Sequence, residues 1–191
     1  MNKIARRGIL GLAVLAASAS TALAANPQPA GVKFSVSSDD SGRLAPVAQC
    51  SANGISLTVV NDTSSDVTVL QFVDKLYSGF HYVAGSAMLT DTVAGTSTAV
   101  DDPNIQTSAG GTETLQFPDT VTVPANDAVT LHFDIKVLDR SDSKVKAPNK
   151  GSYPNHGVVT YGGELAGTKI GQNTSIRVSK TDATPCAPVA F

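Results

Sequence analysis

Ten residues in the second half of the chain, AVTLHFDIKV at 128–137, alternate apolar with polar almost without fault. Val129, Leu131, Phe133, Ile135 and Val137 fall on one side, and Thr130, His132, Asp134 and Lys136 on the other. A period of two puts successive side chains on opposite faces of an extended strand, so the pattern predicts a strand with one buried face. Ile55, Leu57 and Val59 alternate with Ser56 and Thr58 in the same way. VTVLQFV (67–73) is a β-branched and aromatic run suited to a well-buried strand. Shorter runs at 34–36, 120–123, 158–161 and 175–179 complete the set.

Turn residues separate these runs: Asn53-Gly54, Asn61-Asp62, Ser78-Gly79, Gly110-Gly111, Pro124 to Asp127, and Gly162-Gly163. Many short strands at such spacing predict an all-β sandwich or barrel. Helical periodicity is confined to 165–170, and flanking glycines weaken it. Two stretches lack core residues. Asp91 to Thr114 reads as a long polar insert with room for one short hairpin, and 141–153, with Lys144, Lys146 and Lys150, reads as an exposed loop.

The first 24 residues read as an address. Lys3, Arg6 and Arg7 precede the small apolar stretch GILGLAVLAASAS, and Ala22-Leu23-Ala24 fits a cleavage site, so the expected mature chain starts at Ala25 and forms one domain, 25–191. The apolar stretch is too short to span a membrane, and none like it follows. Arg6-Arg7 raises twin-arginine export, but its flanks fit poorly. No cysteine follows the cleavage site to carry a lipid. Export places Cys50 and Cys186 in an oxidising space, where they read as one intrachain disulfide; a bond between chains and free thiols are the alternatives. Closing so long a loop is worth about 4–5 kcal/mol in chain entropy. A formal net charge of −2, with no basic field, excludes a nucleic-acid binder. The absence of Trp argues against a sugar-stacking face.

Residues able to carry chemistry are few and scattered. His81, His132 and His156 lack the close spacing of a zinc site, and His132 falls on the polar side of its strand. There is no Gly-x-Ser-x-Gly elbow for a nucleophilic serine. Asp101-Asp102-Pro103-Asn104 and Asp139-Arg140-Ser141-Asp142 gather oxygen ligands, with Asp101 and Asp102 the first calcium candidates, but neither has the spacing of a calcium loop. Other polar residues suit architecture. Asn61 can bond local backbone in a tight turn, Gly79 can adopt positive φ, Asp74 at a strand end can accept N–H groups of the next turn, and Asn155, ahead of the 158–161 run, reads as a further turn residue.

The order of elements in ISLTVVNDTSSDVTVLQFVDKLYSGFHYVAGS (55–86) resembles a conserved repeat module of unknown function from bacterial surface proteins. The matching pieces are Val59-Val60, Asn61, Val67 to Val73, Asp74, Leu76 with Gly79, Tyr82, and Gly85-Ser86; VPANDAVTLHFDIKV (123–137) and the Asn155 to Tyr161 segment of YPNHGVVTYGG keep the order. The likeness covers about 55–163. Two departures are the Tyr77-Ser78 where relatives carry Pro before the Gly, and the single copy, which does not suit a long stalk. The resemblance implies an immunoglobulin-like antiparallel β-sandwich of about 7–9 strands with long polar loops. It also implies kinship with pilin domains that carry a Lys–Asn isopeptide cross-link assisted by a buried acid. Lys33 with Asn155 or Asn173 matches that pairing in outline, with no evident acid.

The expected role is therefore an exported, non-enzymatic structural or adhesive protein of the bacterial envelope or surface, with no cofactor. Its partners would be other envelope or surface proteins, met through strand edges or the long loops. One alternative is a pilus or matrix subunit that polymerises by donating a terminal strand from 25–32 or 180–191. The other is a calcium- or glycan-binding module.

Overall fold

The computed structural model describes residues 27–39, 52–137 and 151–178. The leader, both cysteines, the Asp139–Asp142 cluster, the three loop lysines and the tail lie outside them. Twelve strands are present among the described residues: β1 (Val32–Ser38), β2 (Ala52–Asn61), β3 (Val67–Leu76), β4 (Phe80–Tyr82), β5 (Met88–Asp91), β6 (Thr96–Ala99), β7 (Asn104–Thr107), β8 (Glu113–Phe117), β9 (Val121–Val123), β10 (Asp127–Val137), β11 (Gly151–Tyr161) and β12 (Lys169–Val178). They form two antiparallel sheets packed as a sandwich. One runs β1-β2-β10-β5-β6 with β4 on β10, and the other β12-β11-β3-β8-β7 with β9 on β3.

The strand count exceeds the sequence expectation because the polar insert is itself pleated. It contributes the hairpins β5–β6 and β7–β8, extending both sheets at one flank. Strands β6 and β7 are exposed at every residue, so no alternation marks them in the sequence. The weak helical candidate at 165–170 forms no α-helix. A single 3-10 turn covers Gly163–Leu165, and Ile170 belongs to β12. At the predicted lysine loop, Gly151, Ser152 and Tyr153 are the start of β11.

Alternation decides which face is buried. On β10 every odd residue from Asp127 to Val137 is buried and every even one half-exposed. Its rings close the core: Phe133 packs on Phe117 at 5.2 Å between centroids and on Tyr82 at 6.0 Å, joining the two sheets. Fully burying a side chain of this size stabilises the fold by about 1.5–3 kcal/mol. Strand β3 does not keep one phase. Thr160 faces Gln71 and Tyr161 faces Val69, so Leu70 is an extra residue in a bulge. Before it Val67 and Val69 point inward; after it Phe72, Asp74 and Leu76 do. The expected well-buried run is thus broken, and Leu70 is 45% exposed.

The two flanks of the sandwich differ. β1 runs beside β12, which closes one flank. At the other, β6 and β7 end their sheets without a further partner among the described residues, and the four residues Val100 to Pro103 join them.

Candidate functional site

The phase change in β3 delivers a carboxyl group to the interior. Asp74 and Asn155 are both fully buried. Asp74 lies opposite Gly157 on β11, so Asn155, two residues from Gly157 on the same face, is its diagonal neighbour. Asn155 Nδ2 donates to Asp74 Oδ2 at 2.8 Å. Burial, opposed in part by that bond, pushes the Asp74 carboxyl from 3.8 up to about 7. Asp74 Oδ1 and Asn155 Oδ1 are buried with no hydrogen-bond partner.

This corrects two sequence readings. Asp74 is not a turn cap, because the bulge turns it inward. Asn155 is not a turn residue, because it occupies an inward position of an eleven-residue strand. The cross-link outline changes as well. Asp74 is the buried acid that was not evident in the sequence, but Lys33 points away from it. Lys33 Nζ pairs with Asp62 Oδ2 at 2.7 Å on the surface, with its side chain 69% exposed. Asn173 is exposed and bonds the His156 ring at 2.7 Å. All four described lysines (Lys33, Lys75, Lys136 and Lys169) are half-exposed or exposed, so none of them faces the acid–amide pair.

Asn61 and Gly79 hold turns. The Asn61 amide reaches the carbonyl oxygens of Ser65 (2.8 Å), Val123 (3.1 Å) and Pro124 (3.0 Å), and its Oδ1 accepts from Thr63 N–H at 3.1 Å. One buried side chain thus ties the β2–β3 turn to the end of β9. Gly79 has φ of +90°, in a turn closed by Phe80 N–H to Tyr77 O at 3.1 Å. A side chain would resist that backbone.

The calcium candidates separate. Asp102 Oδ1 accepts from Tyr82 Oη–H and Gly85 N–H, each at 2.7 Å, which fixes the loop after β4. Burial, reinforced by that contact with Asp102, pushes the Tyr82 hydroxyl up to about 12. Asp101 instead lines a shallow groove with Asp119. Among the described residues no three His, Cys, Asp or Glu side chains gather around a point where a metal ion could sit.

Two histidine contacts were not foreseen. Glu113, the buried first residue of β8, pairs with His81 Nδ1 and accepts from Tyr82 N–H, linking the sheets at one end. On the outer face of the first sheet, Ser56 Oγ lies 3.0 Å from His132 Nδ1, and His132 Nε2 lies 3.8 Å from Asp134 Oδ1. The residue types are those of a hydrolytic triad, but the setting is not. Ser56 and His132 lie on the interior strands β2 and β10, whose mutual pairing runs through both positions, so the three side chains sit on a sheet face between other strands.

No protein family and no curated protein matches the chain in sequence. Among solved structures it is similar to the collagen-binding domain of a Staphylococcus aureus adhesin, with 10% identity over 75% of this chain and 96% of that one and a TM-score of 0.43. It is similar to the full-length major pilin SpaD of Corynebacterium diphtheriae, with 14% identity over 75% of this chain, 34% of that one and a TM-score of 0.47. It is also similar to AvmM, which catalyses macrocyclisation in alchivemycin A biosynthesis, with 12% identity over 79% of this chain, 91% of that one and a TM-score of 0.44. With every score below 0.5, no role passes from these proteins to this chain.

Proposed function

We propose that the chain is an exported structural or adhesive β-sandwich of the bacterial envelope or surface that meets other envelope or surface proteins at the flank formed by β6 and β7. The supporting observation is that flank. Two adjacent strands, each without an outer neighbour among the described residues and exposed at every residue, offer their edges as a template for an added strand. The buried side chains of Asn61 and of the Asp74–Asn155 pair fit the same reading, since they join strands to strands.

The same edges favour a second reading, a subunit that polymerises by accepting a strand from its neighbour. Light scattering of the mature protein, 25–191, at increasing concentration separates the two. Growing assemblies support polymerisation, and a strict monomer ends it. For the docking reading, Thr98→Lys and Gln106→Lys place charges on the open edges. Surface-displayed protein should then lose its contact with partner proteins in cross-linking, with its melting temperature unchanged. Retention of the full chain in the cytoplasm, or cross-linking indifferent to both substitutions, would refute it.

A further inference from the structure

The buried pair at the middle of the second sheet has an unusual count of hydrogens. Asn155 supplies two N–H bonds and one is used on Asp74 Oδ2. Two oxygens, Asp74 Oδ1 and Asn155 Oδ1, remain sealed from water with nothing to accept. An ionised carboxylate there would bear its charge among apolar side chains, at a cost far above that of a neutral group. One added proton resolves both orphans, because a carboxylic acid and a primary amide can form two parallel bonds in a ring.

We propose that Asp74 is a neutral carboxylic acid in the folded protein, donating its proton to Asn155 Oδ1 while Asn155 donates to Asp74 Oδ2, and that this ring is a proton-operated clamp between β3 and β11. The amine that would convert the pair into a covalent cross-link is absent among the described residues, so the clamp is reversible and its state follows pH. It titrates alone. Of the inward groups around it, Glu113 on β8 is taken by His81 of β4, Tyr161 on β11 is a neutral phenol, and Asp127 sits at the start of β10. Lys75 beside it on β3, His156 on β11, Arg177 on β12, Lys33 on β1 and Asp134 and Lys136 on β10 are on the outward phase of their strands.

The sign follows from the raised value. Between the ordinary 3.8 and the folded value of about 7, the native state holds a proton that the unfolded chain has lost. The stabilisation is complete below about pH 4, fades as pH rises, and is gone above about pH 7. Over that window this one group should shift the unfolding equilibrium toward the unfolded state on the order of a thousandfold.

The experiment compares the mature protein with Asp74→Asn by urea unfolding from pH 4 to pH 9. An amide at 74 can bond Asn155 twice but cannot ionise. The proposal expects the difference between the two proteins to change steadily from pH 4 to pH 7, the variant gaining on the wild type, and to be constant above. A difference that does not vary with pH overturns it. Carbon-13 NMR of the Asp74 carboxyl in the unaltered protein gives an answer that needs no variant. An inflection near 7 supports the clamp, and one near 4 refutes it.

Discussion

Gly157 sits in the interior of β11, where a residue without a side chain weakens a strand unless something needs the space. Here the space is taken. A methyl group added at Gly157 would lie 2.6 Å from Val36 Cγ2, 2.7 Å from Leu57 Cδ2 and 3.4 Å from Phe34 Cζ, all from the facing sheet. Carbon atoms settle at about 3.5–4.0 Å, so two of the three contacts are about 1 Å too close. Leu57 and Phe34 are buried and Val36 is stiff at χ1, so relief requires the sheets to part locally. Overpacking of this kind costs about 1–3 kcal/mol, partly offset by the 0.4–1 kcal/mol that Ala in place of Gly contributes by restricting the unfolded chain. Gly157→Ala should therefore lower stability by about 1–2 kcal/mol, read as a lower urea midpoint with an unchanged slope. Adding Val36→Ala, which removes the nearest methyl, should recover part of the loss. A single variant as stable as the wild type, or a double variant worse than the sum of its parts, would show that the sheets are not held together at this point.

Asn61→Ala strips the β2–β3 turn of the bonds to Ser65, Val123 and Pro124 and leaves buried carbonyl oxygens behind; a loss of about 3 kcal/mol is expected in chemical unfolding. Tyr161→Phe removes a buried hydroxyl that has no partner, whose ionisation burial already pushes up to about 12; the urea midpoint should stay level or rise. Lys33→Ala breaks only an exposed ion pair with Asp62, so stability should change by less than about 0.5 kcal/mol, and the intact mass of the unaltered mature protein should show no loss of ammonia from a Lys33 cross-link.

The architecture was legible wherever one face of a strand is buried and the other wet. β10 is the clearest case: its inward residues are the ones the alternation named, and the predicted start falls one residue inside the observed one. β6, β7 and β8 were not legible, for a related reason. A strand exposed on both faces has no apolar period, and Glu113 sits at the inward position where a hydrophobic residue would mark the strand. The bulge at Leu70 escaped notice because a continuous apolar run looks the same whether or not its phase slips. Nothing in VTVLQFV distinguishes a strand buried on both faces from one that changes face midway.

That slip is also why the central site was misread, and it shows where a signal was available. Counted from Val67 and Val69, Asp74 falls on the outward phase and passes for a turn residue. Counted backward from Leu76, it falls inward with Phe72. The same backward count on β11, from Tyr161 through Val159 and Gly157, lands on Asn155. Two strands thus each place one polar residue in an apolar series, and antiparallel pairing brings such residues together, since neither can be buried without a partner. Asn155 can donate to Asp74 in either charge state, but the two remaining oxygens find a bond only when one proton is present to share, so residue choice, burial and protonation bear on one another. If that proton is absent, with Asp74 charged in the folded protein, β3 and β11 would be held by backbone and apolar contacts despite the pair, and replacing both residues with leucine should leave the sandwich no less stable at pH 5. If it is present, the double replacement should be stabilising only above about pH 7, where the clamp no longer contributes.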